Sequence, residues 1–421
     1  MDLNIPIIFG LILAMIVAIA VAFASFAFYK KRKSAKPSGK LNDPVSKAEI
    51  GTTSKRVPII KIMTGQVDMP SEEEFDKLFR FEDDLGSRLT QYQGKRNDGE
   101  GGRNLNRRAL PFDKNRVKLK NTTDGNDYIN ASWIVSNNED GTYDEVVYSD
   151  YIPYSKIEFI VGQTPLPNTK LHHYQMLHEN KVDIELIISF AGNTKALATG
   201  KVYHTGNLSR RVLTATQIFQ NLIMTEIEFF DTTSSNTQYK HPMTMFEIAC
   251  WPTDELTDAK EANAILEAIC MIRKYVKGDS NNIRIMVHDS DGGIAGAACI
   301  IALYNLLQAV DESLKEKNEI KRSASDVEVF REVNKLRYLR ANMVDKFSGY
   351  KMLYQCLSWY GQNKAHFDQL KTKSQKTSKK KRRNDANTNP SKRTVVNNKR
   401  RNNFPDEVYF TEENEEDVYV N

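Results

Sequence analysis

One stretch constrains this chain more than any other: an apolar run, Ile283-Arg-Ile-Met-Val-His288, followed by Asp289-Ser-Asp-Gly-Gly293 and then Ile294-Ala-Gly-Ala-Ala-Cys-Ile-Ile-Ala-Leu-Tyr-Asn-Leu-Leu307. The order is an apolar strand, a small glycine-rich turn and an apolar helix. Such a junction aims backbone N–H groups and the positive end of a helix dipole at one point, which suits an anion. A tight connection that merely needs glycine would have the same sequence. Around it, strand candidates recur at Asp183–Phe190, Met224–Phe230, Met245–Trp251 and Ile283–His288. Helix candidates with a 3.6-residue period are Asp258–Lys277, Ala295–Val310, Ala324–Arg340 and Gly349–Lys364. Asp258 can cap the first, and Ser325 with Glu328 suggests a capping box for the third. Interleaved strands and helices from residue 67 to residue 370 predict one α/β (α+β) domain with a central twisted mixed sheet flanked by helices.

The flanks have other characters. Residues 5–29 contain no charged side chain, and a bilayer core needs about 20 apolar residues, so this run is read as a transmembrane helix preceding the domain. Lys30, Lys31, Arg32 and Lys33 follow, whereas residues 1–4 carry only Asp2. The positive-inside rule then puts the short amino end outside and the domain in the cytoplasm, most simply at the plasma membrane. A cleaved signal peptide fits less well, because the run is long and has no basic residue before it. An ectodomain this short suggests an isoform or a piece of a longer receptor. Residues 30–66 read as a basic juxtamembrane linker able to touch anionic lipid. Residues 371–421 read as a disordered tail, basic at Lys379–Arg383 and Lys399–Arg401 and acidic over Asp406–Asn421. On a membrane-anchored chain the basic clusters suit lipid or solvent better than nucleic acid. Tyr409 and Tyr419 are accessible to a kinase there, and Tyr419-Val-Asn421 resembles an adaptor-docking motif. Cys250, Cys270, Cys299 and Cys356 lie in apolar stretches, without metal-ligand spacing, and read as buried thiols.

From residue 105 onward the chain resembles the receptor-type protein tyrosine phosphatase family in order and spacing. The blocks are Phe112-Asp-Lys-Asn-Arg-Val-Lys-Leu119, Asp127-Tyr-Ile-Asn-Ala-Ser132, Phe159-Ile-Val-Gly-Gln-Thr-Pro-Leu-Pro-Asn-Thr169 and Trp251-Pro-Thr-Asp254. The glycine-rich turn follows, and then a glutamine-loop region with Leu336-Arg337, Met343-Val344 and Tyr350. In active members a cysteine thiolate at the base of the loop attacks phosphotyrosine, and its pKa is lowered by N–H groups and an arginine. That arginine clamps the phosphate, and an aspartate on the Trp-Pro-Asp loop protonates the leaving phenol.

Carried over residue by residue, the resemblance puts Asp289 at the nucleophile, Ala295 at the arginine and Thr253 at the general acid, with Asp254 next to it. Asn106 stands for the tyrosine that would stack on the substrate ring, and Leu105 for the arginine before it. Asp345 and Gly349 replace the water-positioning glutamines. His288, Ser290, Asp291, Gly292 and Gly293 are the remnant of the phosphate loop. The nearest likeness is to the inactive, membrane-distal second domain of the gamma/zeta type, which also carries Asp for Cys and lacks the Arg. Here no active first domain intervenes after the apolar run.

The expected function is therefore that of a membrane-anchored tyrosine pseudophosphatase, a binding and regulatory module with no catalytic residue, cofactor or metal. Its expected partners are cytosolic signalling proteins, an active receptor-type tyrosine phosphatase among them, and membrane lipid, but not nucleic acid. A residual phosphatase using Asp289 as nucleophile lacks a metal and an arginine to neutralise phosphate. A phosphotyrosine trap ordinarily keeps the arginine that Ala295 replaces. His288 reads as a structural histidine, and His172, His173 and His178 as a solvated helix face. Asn121-Thr-Thr123 matches a glycosylation acceptor, unused on a cytosolic side.

Overall fold

The computed structural model describes residues 55–372, apart from 87–88, 100, 121, 123–124, 135–156, 191–197, 206–207, 220, 232–239, 250, 253–255, 257–258, 277–282 and 317–324. Residues 5–29 and 30–54, Asn121 with Thr123, Cys250, Thr253, Asp254, the Asp258 cap, and the tail with Tyr409 and Tyr419 lie outside the described residues.

Strands form where β-branched and aromatic residues cluster, because they fit a pleated, half-buried surface. After a short first strand, β1 (Arg56–Pro58), the described strands of the main sheet are β2 (Arg116–Lys118), β3 (Tyr128–Ile134), β4 (Ile157–Gln163), β5 (Ile184–Ile188), β6 (Val202–Thr205), β7 (Leu208–Phe219), β8 (Leu222–Asp231), β9 (Lys240–Ile248) and β10 (Ile283–Asp289). Their spatial order is β2-β3-β4-β10-β5-β9-β8-β7-β6. β10 runs parallel to both β4 and β5, and β5 is parallel to β9, while the outer pairs are antiparallel. Parallel central strands are covered on both faces, which explains why Ile184–Ile188 is buried throughout.

Three helices precede β2: α1 (Ile59–Thr64), α2 (Glu72–Gly86) and α3 (Tyr92–Arg96). One face of the sheet holds the larger apolar cluster. It packs under α5 (Ala259–Val276), α6 (Gly296–Lys315), α7 (Val329–Leu339) and α8 (Phe347–Gln362). α6 is the helix among the described residues long and apolar enough to cross a membrane, but Ile300, Ile301, Leu303 and Leu307 are fully buried in this cluster. Each such side chain contributes about 1.5–3 kcal/mol of burial, so the protein core accounts for its composition. The opposite face is covered by α4 (Lys170–Glu179), whose Tyr174, Met176 and Leu177 meet Met243, Met245 and Met286 in a second cluster.

Three expectations change. The Ser325–Glu328 capping box does not form. Asp326–Glu328 is a strand, β11, paired antiparallel with β1, and α7 starts only after it. The Ser325 carbonyl instead accepts from Ile59 N–H at 3.0 Å, so backbone pairing outcompetes the local cap. That pairing also brings residues read as linker into the fold: Ile59 and Ile62 of α1 are buried against α8. Finally, the three histidines of α4 do not share a solvated face. His172 and His178 are half-buried, but His173 is only 2% exposed and points into the sheet.

Candidate functional site

β10 ends at the centre of the sheet, where Asp289 pairs with Gln163 of β4 and Ile188 of β5. Beyond it the chain turns through Ser290, Asp291, Gly292 and Gly293 into the amino end of α6. Gly292 and Gly293 have φ of 85° and 80°, which side chains other than glycine's disfavour. A Cβ on Gly293 would also sit 2.6 Å from the Gly162 carbonyl oxygen. The turn therefore closes tightly and points its N–H groups inward.

The Asp289 carboxylate fills that cradle. Oδ1 accepts from Asp291 N–H at 3.0 Å and Gly293 N–H at 2.6 Å, and Oδ2 accepts from Ala297 N–H at 2.9 Å. Asp289 is fully buried. Burial pushes its carboxyl above the usual range and Asp291 adds to the rise, while the Ala297 and Gly293 N–H groups and His288 oppose it. The anion these groups serve is part of the chain itself.

The other residues that the resemblance singles out lie around the same loop. Asn106 Nδ2 donates to the Asp291 carbonyl at 3.1 Å, and a Cβ on Gly292 would lie 3.5 Å from Asn106 Cβ. Where a stacking ring would form a wall, a short amide thus ties one loop to the next. Leu105 is exposed, and its N–H donates to Gln163 Oε1 at 2.8 Å. Ala295 offers only a methyl group at the start of α6. Asp345 lies 3.7 Å from Arg108, and its carboxyl is raised chiefly by burial. At Gly349 the space of a side chain is taken by Cys299, whose Sγ would lie 3.2 Å from a Cβ there. Trp251, Asp291, Ala295, Asp345 and Gly349 line a cleft of about 30 Å³, room for two or three waters at ~10–15 Å³ each. Small-molecule pockets run to ~300–1,000 Å³.

Sequence reading named Arg337 only as a glutamine-loop marker and missed Arg340; both hold this loop. Arg340 is fully buried; its guanidinium donates to Ser132 Oγ (2.9 Å), Asn130 Oδ1 (2.6 Å) and the carbonyls of Ala109 and Gly292 (both 2.7 Å). Arg337 donates to the carbonyls of Met343 and Val344, both at 2.9 Å, bracing Val344 at an unusual φ of 57°. Behind the loop, Glu185 Oε1 meets His173 Nε2 at 2.7 Å and His288 Nε2 at 3.2 Å. Glu185 was legible as a carboxylate inside the apolar strand Ile184–Ile188, where charge is rare unless paired. His288 is fully buried, and burial lowers its pKa against the pull of Glu185.

Glu247, on β9 beside this group, is pushed up to about 7 by burial and by Glu185. Its folded pKa lies above its unfolded one, so its stabilising share is intact below about 4.5 and is lost as pH rises towards 7. Glu247→Gln should therefore raise the stability of the protein at pH 8 by roughly 2–3 kcal/mol and leave it little changed at pH 5. Thermal denaturation across that range checks this; equal gains at both pH values would refute it.

Comparison with known proteins agrees with the geometry. The sequence profile described as protein-tyrosine phosphatase matches residues 101–359. The chain is 26% identical over 370 residues to receptor-type tyrosine-protein phosphatase eta of Homo sapiens, covering 83% of this chain and 24% of that protein. It is 22% identical over 329 residues to tyrosine-protein phosphatase 69D of Drosophila melanogaster, covering 74% of this chain and 20% of that protein. Against receptor-type tyrosine-protein phosphatase C of Mus musculus the figures are 23% over 332 residues, 69% and 22%. The chain thus spans at most about a quarter of the length of these three relatives. With the profile covering more than half of the chain, and a strand–loop–helix cradle at the centre of a mixed sheet, the chain belongs to the protein-tyrosine phosphatase family.

Proposed function

We propose that this protein is a membrane-anchored tyrosine pseudophosphatase: a domain of the phosphatase fold that works by binding protein partners in phosphotyrosine signalling. The observation that carries this reading is the Asp289 carboxylate holding the N–H groups of Asp291, Gly293 and Ala297. A carboxylate there supplies no thiolate for the covalent route, and it takes the donors a phosphate would need. Asp291 and Asp345 line the cleft in front of it. At an effective dielectric of ~20, each carboxylate at ~4–5 Å costs about 3–4 kcal/mol per unit charge of bound phosphate. Ala295 supplies no counter-charge. The catalytic positions Asp289, Ala295, Thr253, Asn106, Asp345 and Gly349 are accordingly degenerate in this reading. The likeness of the loop to the second domains of gamma/zeta receptors supports it.

In this proposal residues 5–29 cross the membrane once with the amino end outside. The basic segment after them meets anionic lipid, and the domain docks cytosolic signalling proteins or an active receptor-type phosphatase. Tyr409 and Tyr419 in the tail serve as phosphorylation sites.

The test is turnover and binding of phosphotyrosine peptides by the purified chain, beside an Asp289→Cys, Ala295→Arg, Thr253→Asp variant. The wild type should neither cleave nor bind, and any turnover by the variant should be abolished by restoring aspartate at position 289. A wild type that hydrolyses the peptide would end the pseudophosphatase reading, and tight binding without cleavage would favour a phosphotyrosine trap.

A further inference from the structure

The chemistry-bearing cluster that the proposed function leaves unused lies one layer behind the loop, on the α4 face of the sheet. His173 reaches down from α4, Glu185 rises from near the start of β5 and His288 from the end of β10. Their side chains are 3%, 1% and 0% exposed. One ligand atom from each lies within 4.8 Å of the others. We propose that these three side chains form a buried site for a borderline divalent transition cation, zinc being the best chemical match.

Four observations support it. First, both imidazoles present Nε2 to the same carboxylate oxygen, so that three ligand atoms converge on one point. Second, the other carboxylate oxygen, Glu185 Oε2, is buried with no hydrogen-bond partner. A lone buried acceptor costs roughly 1–3 kcal/mol, and coordination would satisfy it. Third, His288 Nδ1 lies 3.3 Å from Thr164 Oγ1. The hydroxyl can accept an Nδ1–H, the tautomer that leaves Nε2 free to ligate. Fourth, a cavity of about 10 Å³ beside His173, lined also by Gln163, Thr169 and Met286, offers space for about one water next to one of the three ligands.

The spacing is close to what zinc requires. Ligands at ~2.0–2.2 Å in a tetrahedral shell stand roughly 3.4 Å apart. The His288–Glu185 separation of 3.2 Å is already near that. His173 and Glu185, at 2.7 Å, must open by roughly 0.7 Å. Two neutral imidazoles and one carboxylate leave a single positive charge on the complex, against a buried negative charge without it. Zinc is favoured over calcium or magnesium because nitrogen supplies two of the three ligands. With every ligand buried, the cation enters as the chain folds and leaves slowly.

The full chain, purified in detergent without chelator or metal-affinity resin, is unfolded in guanidinium with a chelator, desalted and refolded with or without zinc or cobalt(II). The wild type should take up about one zinc per chain by mass spectrometry of the elements, and zinc should raise its melting temperature. Cobalt(II) should give visible ligand-field bands of four-coordinate intensity that bleach when zinc displaces it. Glu185→Gln and His173→Gln should cut metal content at least about tenfold. A His173→Phe, Glu185→Val double variant, apolar to suit its surroundings, guards against simple misfolding. A wild type that refolds without zinc uptake and shows no cobalt bands would mean the triad holds only a proton, and the proposal fails. Full metal content in a folded double variant would place the metal elsewhere and overturn it equally.

Discussion

Arg340→Met should cost the domain about 3–5 kcal/mol of stability, the range for removing one partner from a buried charged network. The guanidinium is completely enclosed and still charged at neutral pH, although burial lowers its pKa to about 10. It joins three otherwise separate pieces: Ala109 before β2, Asn130 and Ser132 on β3, and Gly292 in the loop. Methionine fills most of the volume, so the loss is chiefly that of stranded carbonyls and amides. In urea the unfolding midpoint should fall by more than about 1 M, with the slope unchanged. Arg211→Met makes a fair control, because its ion pair to Glu228 is 4.0 Å long and half exposed, worth under ~0.5 kcal/mol. A midpoint for Arg340→Met as little altered as that control would show that the loop does not hang on this residue.

Asp289→Ala should produce the second large change, a gain of anion binding at the loop. With the carboxylate gone, the N–H groups of Asp291, Gly293 and Ala297 have no acceptor from their own chain. The variant should be destabilised by about 2–3 kcal/mol in anion-free buffer, because three buried donors lose a charged partner. Phosphate or tungstate should then recover much of that loss. A dissociation constant on the order of 1 mM implies roughly 2.7 kcal/mol of stabilisation at 100 mM anion. Adding Asp291→Asn should strengthen the effect by removing the remaining loop carboxylate, and Ala295→Arg should strengthen it further. Wild-type protein should show no anion-specific shift beyond that of chloride at equal ionic strength. If Asp289→Ala melts at the same temperature in phosphate and in chloride, the carboxylate is not standing in for an anion.

The two sites of interest sit on opposite sides of one β-strand terminus. Asp289 faces the loop, and its neighbour His288 faces the α4 side because successive residues of a strand point to opposite faces. A cation held by His288 would then lie close behind the carboxylate that fills the cradle. A single register in β10 thus fixes both.

Much of this was already written in the sequence. The apolar run into Asp289-Ser-Asp-Gly-Gly293 specified a strand, a tight turn and a helix, because glycine adopts positive φ there at no steric cost and a strand buried on both faces reads as a short apolar run. Residue type alone also told that Asp289 offers no thiolate and Ala295 no guanidinium. What the sequence determined, then, was local conformation and chemical inventory. The tertiary structure decided which groups meet. Arg340 and Gly292 are 48 residues apart, Arg340 and Ser132 are 208, and His288 and Glu185 are 103. No periodicity encodes such pairings, because they arise when parallel strands distant in sequence are brought about 4.8 Å apart and a helix is laid across them. For the same reason Ser325 could read as a helix cap and His173 as solvated: their partners, Ile59 and Glu185, belong to other elements.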